Sequence, residues 1–129
     1  MRFGYTILYV RDVAASVALY ERAFGLRRRF VHESGEYAEL ETGATALALA
    51  SHELAESNLG GVFHRPKGEA NATAFEVCFV TEDVAAAYGR AVREGAEAVT
   101  APQTKPWGQD VAYVRDLDGN LIELASPSG

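Results

Sequence analysis

Adding 70 to a residue number carries Tyr5 onto Phe75, Val10 onto Val80 and Gly25 onto Gly95, so the chain reads as one supersecondary unit written twice. In the first copy, Tyr5 to Val10 is β-rich, and Asp12 offers an N-cap to a segment whose Val13, Val17, Tyr20 and Phe24 recur at helical spacing. Gly25 stops that helix. Leu26 to Glu33 returns as a strand, and Tyr37 to Glu41 with Thr45 to Ala50 forms a hairpin about Thr42-Gly43-Ala44. The second copy repeats the order. Phe75 to Val80 is a strand, Asp83 caps a helix from Val84, Gly95 ends it, and strands follow near Glu97 to Thr100, at Val111 to Val114 and at Leu121 to Ala125. One inserted residue moves Asp12-Val13 onto Asp83-Val84, and an offset of 75 carries Leu47, Ala48 and Leu49 onto Ile122, Glu123 and Leu124.

The expected fold is therefore α+β: two βαβββ repeats, residues 4–50 and 73–126, joined by a connector at 51–72 with one helical turn near Glu53 to Ser57. A helix covers one sheet face of such a unit and leaves the other apolar face to be closed. The two bare faces can meet, as an eight-stranded, cleft-enclosing sheet with the helices outside. The 129 residues, 48% of them hydrophobic, suit a single domain with its own core.

Charge and cysteine content narrow the function classes. The net charge of −6 and the lack of any long basic run interleaved with aromatics argue against nucleic acid; Arg27-Arg28-Arg29 alternates faces in a strand and suits a solvated strand start or an anion contact. Cys78 is the only cysteine, which excludes an internal disulfide and the common cysteine-based zinc sites and fits a reducing, cytoplasmic setting. The apolar N-terminal run stops at Arg11-Asp12, too soon for a signal peptide, and no run is long enough to span a membrane.

The last strand carries the most unusual residue. Asp118-Gly119-Asn120 supplies a turn that accepts positive φ between Val111-Ala112-Tyr113-Val114 and Leu121-Ile122-Glu123-Leu124-Ala125. If Ile122 and Leu124 enter the core, Glu123 lies on the opposite face among apolar neighbours and calls for a proton, a cation, a metal or a hydrogen-bond donor. A glutamate on a half-solvated sheet is the plainer alternative. If Leu8 and Val10 pack under the first helix, Tyr5, Ile7 and Tyr9 line the bare face, and the 70-residue offset sets Phe75, Val77 and Phe79 beside them. With Ala48, Tyr113, Glu123 and a rim residue, Trp107, these form an aromatic cleft with one carboxylate, suited to a planar or cationic small molecule. Core filling by the same aromatics is the structural alternative.

The strand–helix unit with Val10-Arg11-Asp12-Val13 and Phe24-Gly25-Leu26, and above all Trp107-Gly108 through Arg115-Asp116-Leu117-Asp118-Gly119-Asn120-Leu121-Ile122-Glu123-Leu124, resemble the vicinal oxygen chelate superfamily of glyoxalases, extradiol dioxygenases and fosfomycin and bleomycin resistance proteins. Pro106-Trp107-Gly108 with Arg115-Asp116 and Gly119-Asn120 looks most like the bleomycin-resistance branch. The resemblance implies that metal-dependent members draw ligands from the first and last strands of each copy, which here map onto Tyr5, Ala48, Phe75 and Glu123. Only Glu123 keeps a usual ligand chemistry, so no metal or other cofactor is expected; a site displaced onto His64 or Glu76 is the alternative, and His32, His52 and His64 read as solvated. The expected function is metal-free binding of an antibiotic-like small molecule by a homodimer. The alternative is a glyoxalase-like lyase or isomerase, or a dioxygenase, with Glu123 as metal ligand or general base. A purely structural, assembling chain is a third reading.

Overall fold

The computed structural model describes residues 1–61 and 75–127. The chain divides into two compact units, Met1–Pro66 and Lys67–Gly129.

In the first unit, β1 (Tyr5–Val10) leads into α1 (Val13–Phe24), then β2 (Arg28–Val31), β3 (Tyr37–Leu40), β4 (Ala46–Ser51) and a short α2 (His52–Asn58). Residues 51–72, expected as a connector with one helical turn, thus carry a seven-residue helix at their start, capped by Ser51, whose hydroxyl accepts from Leu54 N at 3.0 Å. The strands lie in the order β1-β4-β3-β2, with β1 parallel to β4 and the other pairs antiparallel. In the second unit, β5 (Val77–Val80), α3 (Val84–Arg93), β6 (Glu97–Thr104), β7 (Asp110–Arg115) and β8 (Leu121–Ala125) repeat the plan in the order β5-β8-β7-β6, again with only β5 and β8 parallel. The eight expected strands form two four-stranded sheets of βαβββ topology.

Both long helices start on the expected aspartates. Asp12 accepts from Ala15 N at 3.0 Å and Asp83 from Ala86 N at 2.9 Å, each satisfying a backbone donor that the first turn leaves open, which is worth about 1 kcal/mol. Gly25 ends α1 in the left-handed region at φ 69°, where a side chain would be strained. The core of the first unit is the α1 side of its sheet: Leu8, Val10, Leu40, Leu47 and Leu49 against Val13, Val17 and Tyr20, all nearly inaccessible. In the second, Ala112, Val114, Ile122 and Leu124 form the corresponding layer.

Candidate functional site

Glu123 is placed by β8. Ile122 and Leu124 are buried, and the strand's period of two turns Glu123 to the opposite, half-buried face. In register with it are Tyr113 on β7 and Cys78 on β5. The second neighbour corrects the sequence reading. Val77 pairs with Ile122 and Phe79 with Leu124, so these two residues belong to the core-side face of the sheet and not to the face of Glu123. Phe75, two residues before Val77, has the same parity, and its ring is exposed at the entry to the strand. The inserted residue that brings Asp12 onto Asp83 already acts in β5: the structural offset there is 71, so Glu76, Cys78 and Val80 stand where Tyr5, Ile7 and Tyr9 stand in the first unit.

Glu76 and Glu123 are consequently diagonal neighbours on one face, within reach of each other's side chains. The nearness of the Glu123 carboxyl, first as a hydrogen-bonding partner and, after the effect of partial burial, through its charge, pushes Glu76 up to about 7. Burial, then the neighbouring Glu123 charge, pushes the Cys78 thiol up to about 11, so it stays a neutral thiol rather than a nucleophile. The Tyr113 phenol is raised by burial first and by Glu123 second. This face can accept hydrogen bonds or a positive group, and it can hold or release a proton near neutrality.

On the first unit the expected residues do share one face. Register pairs Tyr5 with Ala46, Ile7 with Ala48 and Tyr9 with Ala50, and β3 adds Glu39 opposite Ala48 and Tyr37 opposite Ala50. Sequence reasoning missed Tyr37 and Glu39, although the alternation of Tyr37, Glu39 and Glu41 with buried Ala38 and Leu40 was readable. Tyr37 Oη donates to Glu39 Oε2 at 2.8 Å, and Arg29 Nη1 reaches Glu39 Oε1 at 3.3 Å. Burial and that acceptor push the Tyr37 phenol up to about 12. Arg29 binds Glu41 more closely, through Nη2 at 2.8 Å and Nε at 3.1 Å, which lowers the Glu41 pKa and raises that of Arg29. The arginine run is therefore divided: a register shift in β2 leaves Arg28 reaching Glu21 of α1 at 2.8 Å while Arg29 serves the other face.

Trp107 sits at the tip of the β6–β7 hairpin, 71% exposed, its indole N–H donating to Gln109 Oε1 at 3.1 Å. Gln109 donates to Ser126 O at 2.7 Å, which fixes the tip beside the end of β8, three residues beyond Glu123, or roughly 10 Å at the rise of a strand. His32 is exposed, as expected, and makes a local turn with Ser34. His52 is not solvated: it is 2% exposed at the start of α2. His64 lies outside the described residues.

Two βαβββ units, each a four-stranded sheet with its long helix after the first strand, define the class of protein to which this sequence corresponds. The chain belongs to the Glyoxalase/Bleomycin resistance protein/Dioxygenase superfamily, whose family model matches residues 2–124. It is 33% identical over 118 residues to the uncharacterized protein YraH of Bacillus subtilis (strain 168), covering 91% of each chain. Among solved structures it is similar to a glyoxalase-related enzyme from Fulvimarina pelagi, with a TM-score of 0.83, 20% identity and coverage of 98% of this chain and 88% of that one. It is also similar to a protein of unknown function from Agrobacterium tumefaciens str. C58, with a TM-score of 0.80, 26% identity and coverage of 98% and 94%.

Metal-dependent relatives raise the question of a donor set. The structure replaces Phe75 with Glu76 at the first-strand position of the second unit, so that unit offers two carboxylates rather than one. The first unit offers Tyr5 and Ala48, and alanine has no donor. Among the described residues no three His, Cys, Asp or Glu side chains converge as a metal site. The residues present do not fit the multi-ligand set that a catalytic divalent ion needs.

Proposed function

We propose that the protein is a metal-free binder of small molecules, of the glyoxalase/bleomycin resistance type and closest to the bleomycin-resistance branch, whose ligand joins a planar aromatic part to a cationic group. The observation that carries this reading is Glu123: a half-buried carboxylate in register between Tyr113 and Cys78, with a second acid, Glu76, as its diagonal neighbour. An ammonium or similar cation satisfies both carboxyl groups and removes the need for their shared proton. The exposed Trp107, on a hairpin held to the end of β8, supplies an aromatic surface for the ligand's planar part. A reducing, cytoplasmic setting belongs to this reading and is supported by Cys78 being the only cysteine.

Trp107 is the only tryptophan, so its fluorescence reports binding directly. In a screen of cationic aromatic antibiotics, with benzyltrimethylammonium as a simple probe, Glu123→Gln weakens binding about tenfold, the size of one charge-assisted contact, and leaves the melting temperature equal or higher. Binding that survives Glu123→Gln, together with a large fall in melting temperature, makes Glu123 a structural partner and ends the proposal.

The position of Glu76 near 7 favours a second reading, an enzyme of the lyase or isomerase type in which the carboxyl pair moves a proton. Exchange of carbon-bound hydrogen from small hydroxyketones in heavy water, abolished by both Glu76→Gln and Glu123→Gln, distinguishes it from simple binding.

A further inference from the structure

The β6–β7 hairpin closes on Pro106-Trp107-Gly108, held between Lys105 and Gln109. Lys105 N donates to Gln109 O at 2.8 Å and Gly108 N to Lys105 O at 2.8 Å, so Pro106 and Trp107 are the central residues of a tight turn. Proline fixes its own φ, and Gly108 follows in the left-handed region at φ 90°, where a side chain would be strained. The backbone under Trp107 is thereby set. What remains free is the rotation of the side chain itself.

Gln109 removes that freedom. Its Oε1 accepts from the Trp107 indole N–H at 3.1 Å while its Nε2 donates to Ser126 O at 2.7 Å, and Ser126 directly follows β8. An indole nitrogen only donates and a carbonyl oxygen only accepts, so the bridge needs both an acceptor and a donor at one side-chain tip. Ionised glutamate lacks the donor and lysine the acceptor. The bridge therefore ties the orientation of an exposed ring to the strand that carries Glu123. Counting back along β7 from Tyr113, which pairs with Glu123, Val111 and Gln109 keep the same side of the sheet.

We infer that Gln109 is a positioning residue for ligand binding: it turns the Trp107 N–H toward the protein, so that the ligand meets the face of the ring and finds no hydrogen-bond donor there. The inference rests on the binding reading above and adds the geometry of its aromatic contact. A ring ordered before the ligand arrives does not have to be ordered on binding, an effect of about three- to tenfold in affinity for one such side chain.

Trp107 is the only tryptophan, so one indole N–H signal and one fluorophore report its motion. In the ligand-free protein, Gln109→Met, which keeps the side-chain length and deletes both hydrogen bonds, is expected to lower the heteronuclear NOE of the indole N–H and the fluorescence anisotropy while the melting temperature stays nearly unchanged. Gln109→Glu is also expected to loosen the ring at neutral pH, where its carboxylate cannot donate to Ser126 O, and to regain the native anisotropy as pH falls below about 4.3 and the protonated acid recovers a donor; a merely structural role would not give this rescue. Calorimetry is expected to show benzyltrimethylammonium binding Gln109→Met about three- to tenfold more weakly than the native chain. An indole as rigid in Gln109→Met as in the native protein overturns the inference, and so does a loosened indole with unchanged affinity. Binding that is weakened in Glu123→Gln but untouched in Gln109→Met ends this inference alone, whereas a native chain that does not bind the probe ends the binding reading with it.

Discussion

Glu76 and Glu123 are diagonal neighbours on one face of the second sheet, and the nearness of the Glu123 carboxyl raises the pKa of Glu76. Two like acids held together cannot both ionise freely, so this face responds to pH near neutrality.

The sign follows from the raised value of Glu76. Its folded pKa, about 7, exceeds the ordinary 4.5, so the folded state holds the proton more tightly than the unfolded chain. That contribution is fully present below pH 4.5 and is lost as pH rises through 7. Glu76 is exposed, so solvent screening limits the effect to about 1 kcal/mol, or roughly 3–5 °C in melting temperature. Thermal melts between pH 5 and 8 are expected to fall along this window in the native chain and to flatten in Glu76→Gln; equal slopes in the two proteins refute the shared proton.

Removing the Tyr37 hydroxyl isolates the worth of its bond to Glu39. Tyr37→Phe keeps the ring against Phe30 and deletes a 2.8 Å bond to a carboxylate that is only 8% exposed. A loss of about 1–2 kcal/mol in urea unfolding is expected, with an unchanged denaturant slope.

Asp116 carries the β7–β8 turn. Its Oδ1 accepts from Asp118 N and Asn120 N, both at 2.9 Å, and its Oδ2 from Asn120 Nδ2 at 2.9 Å, while the residue is 5% exposed. Asp116→Ala leaves those buried donors unmet and is expected to cost about 2–4 kcal/mol. Asp116→Asn, which keeps an acceptor, should recover part of this. A loss below 0.5 kcal/mol for the alanine variant, which is the scale of ordinary surface changes, would show the turn to be held by other contacts.

For metal content the expectation is substoichiometric zinc, nickel, iron and manganese in protein purified without chelators, and no change in melting temperature on adding these ions. Ala48 provides no donor and Tyr5 an uncommon one, leaving two carboxylates as the usual ligands. One tightly bound ion per chain, lost in Glu123→Ala, defeats this.

A homodimer is the proposed assembly. Strands β2 and β6 end their sheets with exposed residues, Phe30, Val31 and Val99 among them, and unpaired strand edges need cover. Sedimentation at micromolar concentration is expected to give twice the 13.9 kDa chain mass; a single species at the chain mass rejects it.

The sequence by itself determined the repeat, the two aspartate-capped helices, the glycine that ends α1 and the placement of Glu123 on the face opposite Ile122 and Leu124. These are local matters: a cap needs an acceptor at one position, a left-handed residue favours glycine, and alternation along one strand separates its two faces. The phase of β5 was decided only by tertiary structure. Phe75, Val77 and Phe79 are as apolar as a bare face requires, while Cys78 and Val80 suit a core equally well, so hydrophobicity could not choose between two registers one residue apart. Pairing with β8 chose, and because a one-residue slip exchanges every side chain between faces, it replaced three apolar residues beside Glu123 with Glu76, Cys78 and Val80. Glu39 shows the same division: its strand and face were legible from alternation, but its meeting with Arg29 required the register shift in β2, which turns one arginine of a uniform run toward a carboxylate ten residues away in the chain.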